Sequence, residues 1–312
     1  VGLGNEVALA QAAMREEEER ILRELSEALY EELGEIKICT EVLGATDLVF
    51  GIARLAKYMD ANAPAWVDAN ASIKLNKVRH PLLVLRGINV VENDILFAQD
   101  ELGLIISGPN AGGKTVVLGS LGLSYMMARA GIPICAAAAS ELPWLEGGLF
   151  CLIGDAQDLN RDLSTFSGHL ERVKWACERS GAGWLILLDE IAAGTSPIEG
   201  GALAQAILEH LVENGSRILV TTHLDALKAL ALVDKRFQNA RMGMNEDLAP
   251  TFRLEYGMVG ESSAVALAKQ IGLAPDITER AETLVGEQGV LNQAVTKLNA
   301  EREALADELE KV

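Results

Sequence analysis

The eight residues Gly108-Pro109-Asn110-Ala111-Gly112-Gly113-Lys114-Thr115 combine the types that bind phosphate groups. They fit G-x-x-x-x-G-K-[ST] at every fixed position. Glycine at 108, 112 and 113 lets the backbone turn tightly, so that successive N–H groups converge on an anion. The Lys114 ammonium is a point charge for β- and γ-phosphates, and the Thr115 hydroxyl is a ligand for Mg²⁺. A second candidate pair closes the apolar run WLILLDE, Trp184 to Glu190. Asp189 is suited to hold Mg²⁺, directly or through water. Glu190 is suited to polarise an attacking water as general base. A third run, RILVTTH, ends in His223, whose ring nitrogen suits contact with the γ-phosphate or that water. Together these residues spell hydrolysis of a nucleoside triphosphate. Separately they have plainer readings: a glycine-rich turn, a surface carboxylate, a structural histidine.

Such residues need strands that end side by side. From Leu102 onward, apolar runs at 102–106, 149–153, 184–188 and 217–222 alternate with helical stretches at 114–130, 165–179 and 199–213. That alternation predicts an α/β domain with a largely parallel sheet. Ahead of it SIKLNKV, PLLVL and NDILFAQ, within 72–100, read as strands of a small antiparallel sheet. Residues 46–60 read as a helix with Thr46 or Asp47 as N-cap. Residues 6–33 read as a helix with Met14, Ile21, Leu25, Ala28 and Leu29 on one side and the Glu16–Glu19 run off that stripe. Leu291, Val295, Leu298, Leu305, Leu309 and Val312 keep heptad spacing, with Arg302 the polar interruption. The seam still runs where the sequence stops and the chain opens on Val1, so a piece of a longer protein is expected.

The formal net charge is −18, with −7 in residues 1–35 and −5 in residues 276–312, leaving −6 for the middle. A free-standing DNA-binding domain is usually basic, so strong DNA binding by this chain alone is not expected. Cys39, Cys135, Cys151 and Cys177 lack CxxC spacing, and with only 4 His a zinc site is not expected. No apolar run reaches the ~18 residues of a membrane helix, and no secretory signal opens the chain. A cytoplasmic protein with reduced thiols and no membrane contact is the expectation.

The set GPNAGGKT, DLSTFSGHL (162–170), LLDEIAAGTSPIEGGALAQAIL (187–208) and TTHLDALK (221–228) resembles the MutS family of ABC-type ATPases. RHPLL (79–83) and GMVGESSAVALAKQIGLAPDITERA (257–281) fit as well. STFSGH, AGTSPIEG and TTHLDALK look like the family's second-type branch, whose members lack the mismatch-reading domain and usually carry a C-terminal Smr domain. The resemblance implies a P-loop NTPase of ABC type, with a helical lever or core segment at 1–70. It implies an ATPase domain at 71–270, with the small sheet at 71–100 and the nucleotide-binding core at 101–256. Residues 271–312 would form a dimerisation segment and the start of a coiled coil. ATP or ADP and Mg²⁺ are the implied ligands, and a homodimer with two composite sites is the implied assembly. Asn110 would position the γ-phosphate and the water, and Ser164 would reach the nucleotide of the other subunit. Gly194, Thr195 and Ser196 would lie at the subunit boundary. DNA, branched or duplex, would be gripped by regions largely outside these residues; a ribosome-splitting role is the other partner reading. Two departures stand out. GDAQDLNRD carries Ala156 where the branch usually has an acid. Val90 and Val91 stand where mismatch-repair relatives commonly stack an aromatic ring, so the base would lie between aliphatic side chains with weaker selectivity.

Overall fold

A computed structural model of the chain describes residues 2–97, 100–109, 112–153, 165–192, 195–245 and 249–258. Of the stretch 265–284 it describes 265, 268–269, 272–281 and 283–284. The heptad residues 291–312, Asn110, Ala111, Ala156, Ser164 and Gly194 lie outside the described residues. Two compact units divide the chain at residues 58 and 59.

The first unit is two helices, α1 (Gly2–Glu31) and α2 (Leu33–Met59), parted at Glu32. Neither holds a Pro, and Ala, Leu and Glu dominate α1, so propensity alone favours helix. Arg20 bridges Glu17 and Glu24, three and four residues away on the same face. Leu25, Leu29 and Ile36 are exposed, as is all of α1 and most of α2; Ile52, Leu55 and Ala56 of α2 are half-buried and Met59 at its end is buried. The second helix therefore starts at Leu33, not near residue 46. Thr46 is no cap: its hydroxyl donates to the Val42 carbonyl at 2.7 Å, one turn back inside the helix.

The second unit is built on a six-stranded sheet of β4 (Gly103–Ser107), β6 (Gly148–Leu152), β7 (Trp184–Leu188), β8 (Arg217–Thr222), β9 (Phe237–Met244) and β10 (Pro250–Tyr256). Its order is β10-β9-β4-β8-β7-β6, and every neighbouring pair is parallel except β10 with β9. The central strands β4, β7 and β8 are mostly apolar because both faces are covered. Leu104, Ile106, Leu185 and Leu187 point into one core, with Leu118 and Leu121 of α4 (Lys114–Arg129). Ile105, Ile186, Leu188 and Ile218 point into the other. There they meet α6 (Pro197–Glu213) and α7 (Asp225–Val233) through Leu208 and Leu227, and Val173 of α5 (Thr165–Arg179). This is the two-residue period of a strand doing its ordinary job.

A four-stranded sheet in the order β1-β5-β2-β3 packs over the far side of α4. It contains β1 (Ala65–Val67), β2 (Lys74–Val78), β3 (Asn93–Leu96) and β5 (Glu141–Pro143). β2 pairs antiparallel with β3 and β5, whereas β1 and β5 run parallel, so the sheet is mixed. PLLVL is not a strand: Pro81–Leu85 is a short helix, α3. Pro81 takes the first helical position, where its missing N–H costs nothing, and Leu83 and Val84 donate to the His80 carbonyl. The hairpin β9–β10 had no sequence expectation at all.

Tyr256 ties the two sheets together. Its hydroxyl accepts from the Leu96 amide at 2.8 Å and donates to the Asp94 carbonyl at 3.0 Å. Burial pushes the phenol well above its ordinary pKa, despite the Leu96 amide.

Candidate active site

The loop after β4 needs glycine where the sequence supplies it. Gly108 has φ 133°, and a Cβ there would stand 3.3 Å from Met242 Cβ. Gly113, the residue before α4, has φ 94°, and a Cβ there would lie 3.2 Å from the Phe252 ring. Gly112 N–H donates to the Pro109 carbonyl at 3.0 Å, closing the described end of the turn.

Lys114 opens α4 with only 2% of its side chain exposed. Its ammonium donates to the Gly108 carbonyl at 2.7 Å and lies 3.6 Å from Glu190 Oε1. Burial lowers the ammonium pKa from its ordinary 10.5, outweighing the attraction of Glu190 and Asp189.

The β4–β8 register, Ser107 beside Thr222, and the β7–β8 register, Leu188 beside Val220, bring three strand ends together. Thr115 Oγ1 therefore reaches Asp189 Oδ2 at 2.8 Å. Thr221 Oγ1 donates to the other oxygen of Asp189. The next residue, Glu190, has φ 48°, a left-handed value rare for a residue with a side chain. The Glu190 amide donates to Thr221 O at 3.2 Å and Thr221 Oγ1 at 3.0 Å, which holds this bend against a strain of about 1–3 kcal/mol. Thr221 thus fixes both carboxylate residues.

Gly108, Gly112, Gly113, Lys114, Thr115, Asp189 and Glu190 are brought together. His223 stands at the end of β8 but is exposed, and among the described residues it forms no hydrogen bond or ion pair with them. Val90 and Val91 lie on the other side of α4's first turn, in a cavity of about 420 Å³ that reaches Gly113 and Thr115. Leu83, Ile88, Val116, Val117 and Phe252 add to its apolar wall.

Phe252 and Thr221 were not singled out from the sequence. Phe252 sits where the β9–β10 register shifts, with φ 57°. Asn93 holds it there: Nδ2 donates to Phe252 O at 3.0 Å, and Oδ1 accepts from Leu254 N–H at 2.7 Å. Nothing in the spacing of residues so distant in sequence announces this contact. Thr221 carries a signal, the doubled threonine before His223, but in sequence the histidine is the more conspicuous candidate.

The chemistry follows from the donors. A buried ammonium and a helix N-terminus suit an anion. A hydroxyl and a carboxylate oxygen 2.8 Å apart are hard-oxygen ligands on one side of a small site, fitting Mg²⁺, which usually keeps its remaining positions for water and phosphate. Among the described residues no cluster of three or more His, Cys, Asp or Glu forms a closed metal cage.

Comparison with known proteins bears on this geometry. Residues 104–288, from β4 past the last described helix, match the family model of MutS domain V. The chain belongs to the MutS domain V family. MutS domain V is an ATPase domain, and its fold accounts for the sheet and the nucleotide-binding loop. The chain is also similar to proteins named endonuclease MutS2. It is 48% identical over 318 residues to that of Anaeromyxobacter sp. strain Fw109-5, covering 98% of this chain and 39% of the relative. Against the Thermus thermophilus protein it is 40% identical over 303 residues, covering 97% and 39%. Against that of Carboxydothermus hydrogenoformans it is 38% identical over 314 residues, covering 100% and 40%. The chain thus spans about two fifths of the length of these curated relatives. Among the described residues no helix is long and apolar enough to cross a membrane.

Proposed function

We propose that the chain is the ATP-hydrolysing part of a MutS2-type protein, working with Mg²⁺. The convergence of Lys114, Thr115, Asp189 and Glu190 at the ends of β4, β7 and β8 carries this reading. The phosphate chain would lie on the loop 108–113 with its charge met by Lys114 and the first turn of α4. Thr115 and Asp189 would hold Mg²⁺, which would neutralise phosphate charge. Glu190, held by Thr221, would accept the proton of the attacking water. Asn110 would orient that water, and His223 would meet the γ-phosphate from the end of β8. The base would enter the cavity lined by Val90 and Val91, with Phe252 as its aromatic face.

The same reading makes the working unit a homodimer, each phosphate loop facing the partner subunit's copy of the Ser164 segment. The name carried by the relatives, endonuclease MutS2, supports DNA as the target of the whole protein. ATP turnover would then drive clamping on branched DNA through regions outside this chain, and α1 and α2 would serve as a lever toward them. The net charge of −18 agrees with a driving module rather than a DNA grip. Phosphate release from Mg-ATP, compared between the chain and its Lys114→Ala variant, tests the enzymatic part. For the target, full-length protein is compared for binding to four-way DNA junctions and co-sedimentation with ribosomes. Retention on ribosomes alone would replace DNA as the target.

A further inference from the structure

Lys228 is a buried lysine that the scheme above leaves without a task. It lies in α7 with 8% of its side chain exposed, and lysines are seldom buried without a paired anion. The pairing it has is thin. Its Nζ donates to Asp225 Oδ1 at 2.8 Å, but the Asp225 side chain is 92% exposed and its charge is screened by solvent. An ammonium carries three protons; among the described residues Asp225 is the one acceptor that Lys228 Nζ meets.

The backbone around Lys228 is fixed. Its carbonyl accepts from Asn239 Nδ2 at 2.8 Å, which pins α7 to β9, the strand flanking β4. Its amide donates to the Leu224 carbonyl, and the Leu224 amide donates to Thr222 Oγ1 at 2.9 Å. Asp225 opens α7 three residues beyond the end of β8, so the ammonium bonded to it lies toward the end of the sheet where β4 and β8 finish. That end carries the loop 108–113. Lys228 is close enough to Lys114 for its charge to contribute, after burial, to the lowering of the Lys114 ammonium.

We propose that Lys228 is a second cation of the phosphate site, set behind Lys114, whose buried charge favours ligands in proportion to their phosphate charge. It is a positioning residue, acting through the potential at the loop and not by contact. Asp225 tempers it, as an exposed anion at its open side. The proposal rests on the nucleotide-site reading and adds a residue that the phosphate motif does not include.

The test uses the intact 312-residue chain and measures the affinities of ATPγS, ADP and AMP at low and high salt. Lys228→Met is expected to weaken ATPγS about three- to tenfold, ADP less, and AMP hardly at all. Lys228→Arg is expected to restore most of the loss. Asp225→Asn, which keeps an acceptor oxygen for the Lys228 ammonium while removing the negative charge, is expected to act in the opposite direction and tighten ATPγS about twofold. Both shifts should shrink as salt rises. A merely structural pair would behave otherwise: Lys228→Met and Asp225→Asn would weaken binding alike, with no dependence on phosphate number. That result, or unchanged affinities in both variants, overturns the proposal while wild-type binding leaves the nucleotide site standing. If Lys228→Met does not fold, the Asp225→Asn direction decides. A wild-type chain that binds no ATPγS brings down both readings.

Discussion

The Lys114 ammonium stands 3.6 Å from a Glu190 carboxylate oxygen, although the two come from different elements, α4 and the end of β7. One residue is proposed to hold phosphate and the other to take a proton from water, so each sits in the other's field. Their substitutions are expected to separate cleanly. Lys114→Ala removes the phosphate charge and should abolish tight ATP binding. Glu190→Gln keeps the shape and should retain binding while turnover falls about 10²–10⁴-fold. Equilibrium binding and phosphate release on both variants check this. Wild-type turnover in Glu190→Gln would place the general base elsewhere.

Burial of Lys114 sets a pH dependence whose sign can be worked out. Its folded pKa lies below the ordinary 10.5 of the unfolded chain. Below the folded value both states hold the proton, and the cost of the buried charge is fully present. Between the two values the unfolded chain binds more protons, so this contribution to stability improves as pH rises and the cost is gone above 10.5. A bound triphosphate favours the charged ammonium, so within that window ATP binding should take up protons. Calorimetric titrations in buffers of different ionisation enthalpy measure the uptake, and it should fade as pH falls below that window. Proton release would contradict the assignment.

The cavity beside Gly113 joins aliphatic walls from Val90 and Val91 to the ring of Phe252. Phe252→Ala should therefore weaken ATP about three- to tenfold, the worth of one aromatic contact. The ratio of ATP to GTP affinity should stay small in the wild-type chain, because stacking and aliphatic contact read the face of a base rather than its edge. Competition binding with the two nucleotides gives the ratio. An unchanged affinity in Phe252→Ala would remove the base from this cavity.

Tyr256→Phe removes one hydroxyl that satisfies both the Leu96 amide and the Asp94 carbonyl. The expected loss is about 0.5–1.5 kcal/mol, the net worth of a typical hydrogen bond, because water can reach the Leu96 amide and the Asp94 carbonyl. Denaturant unfolding monitored by tryptophan fluorescence reads it, and an unmoved midpoint would show that the link carries no weight.

What could be read from the residues alone follows the physics of each feature. The strands β4, β7 and β8 announce themselves because burial on both faces makes them continuously apolar, and Gly108, Gly113, Lys114 and Asp189 because loop geometry leaves little choice of residue. PLLVL misleads because a strand and a short helix look alike over five apolar residues, and its proline is the first residue of α3. The helix start at Leu33 is hidden since nothing there resembles a cap, whereas Thr46 looks like one and spends its hydroxyl inside the helix. Phe252 and Asn93 meet through a tertiary contact between strands of the two different sheets, about 160 residues apart, a relation with no local trace.

ATP hydrolysis by this chain is proposed to depend on the pocket formed by Lys114, Thr115, Asp189 and Glu190. Its most direct test is single-turnover hydrolysis of Mg-ATP by the intact chain, with the bound fraction and the released phosphate followed in the same sample. Wild type is expected to bind and cleave, Glu190→Gln to bind and hardly cleave, and Lys114→Ala to do neither. Equal binding by all three proteins would contradict the account.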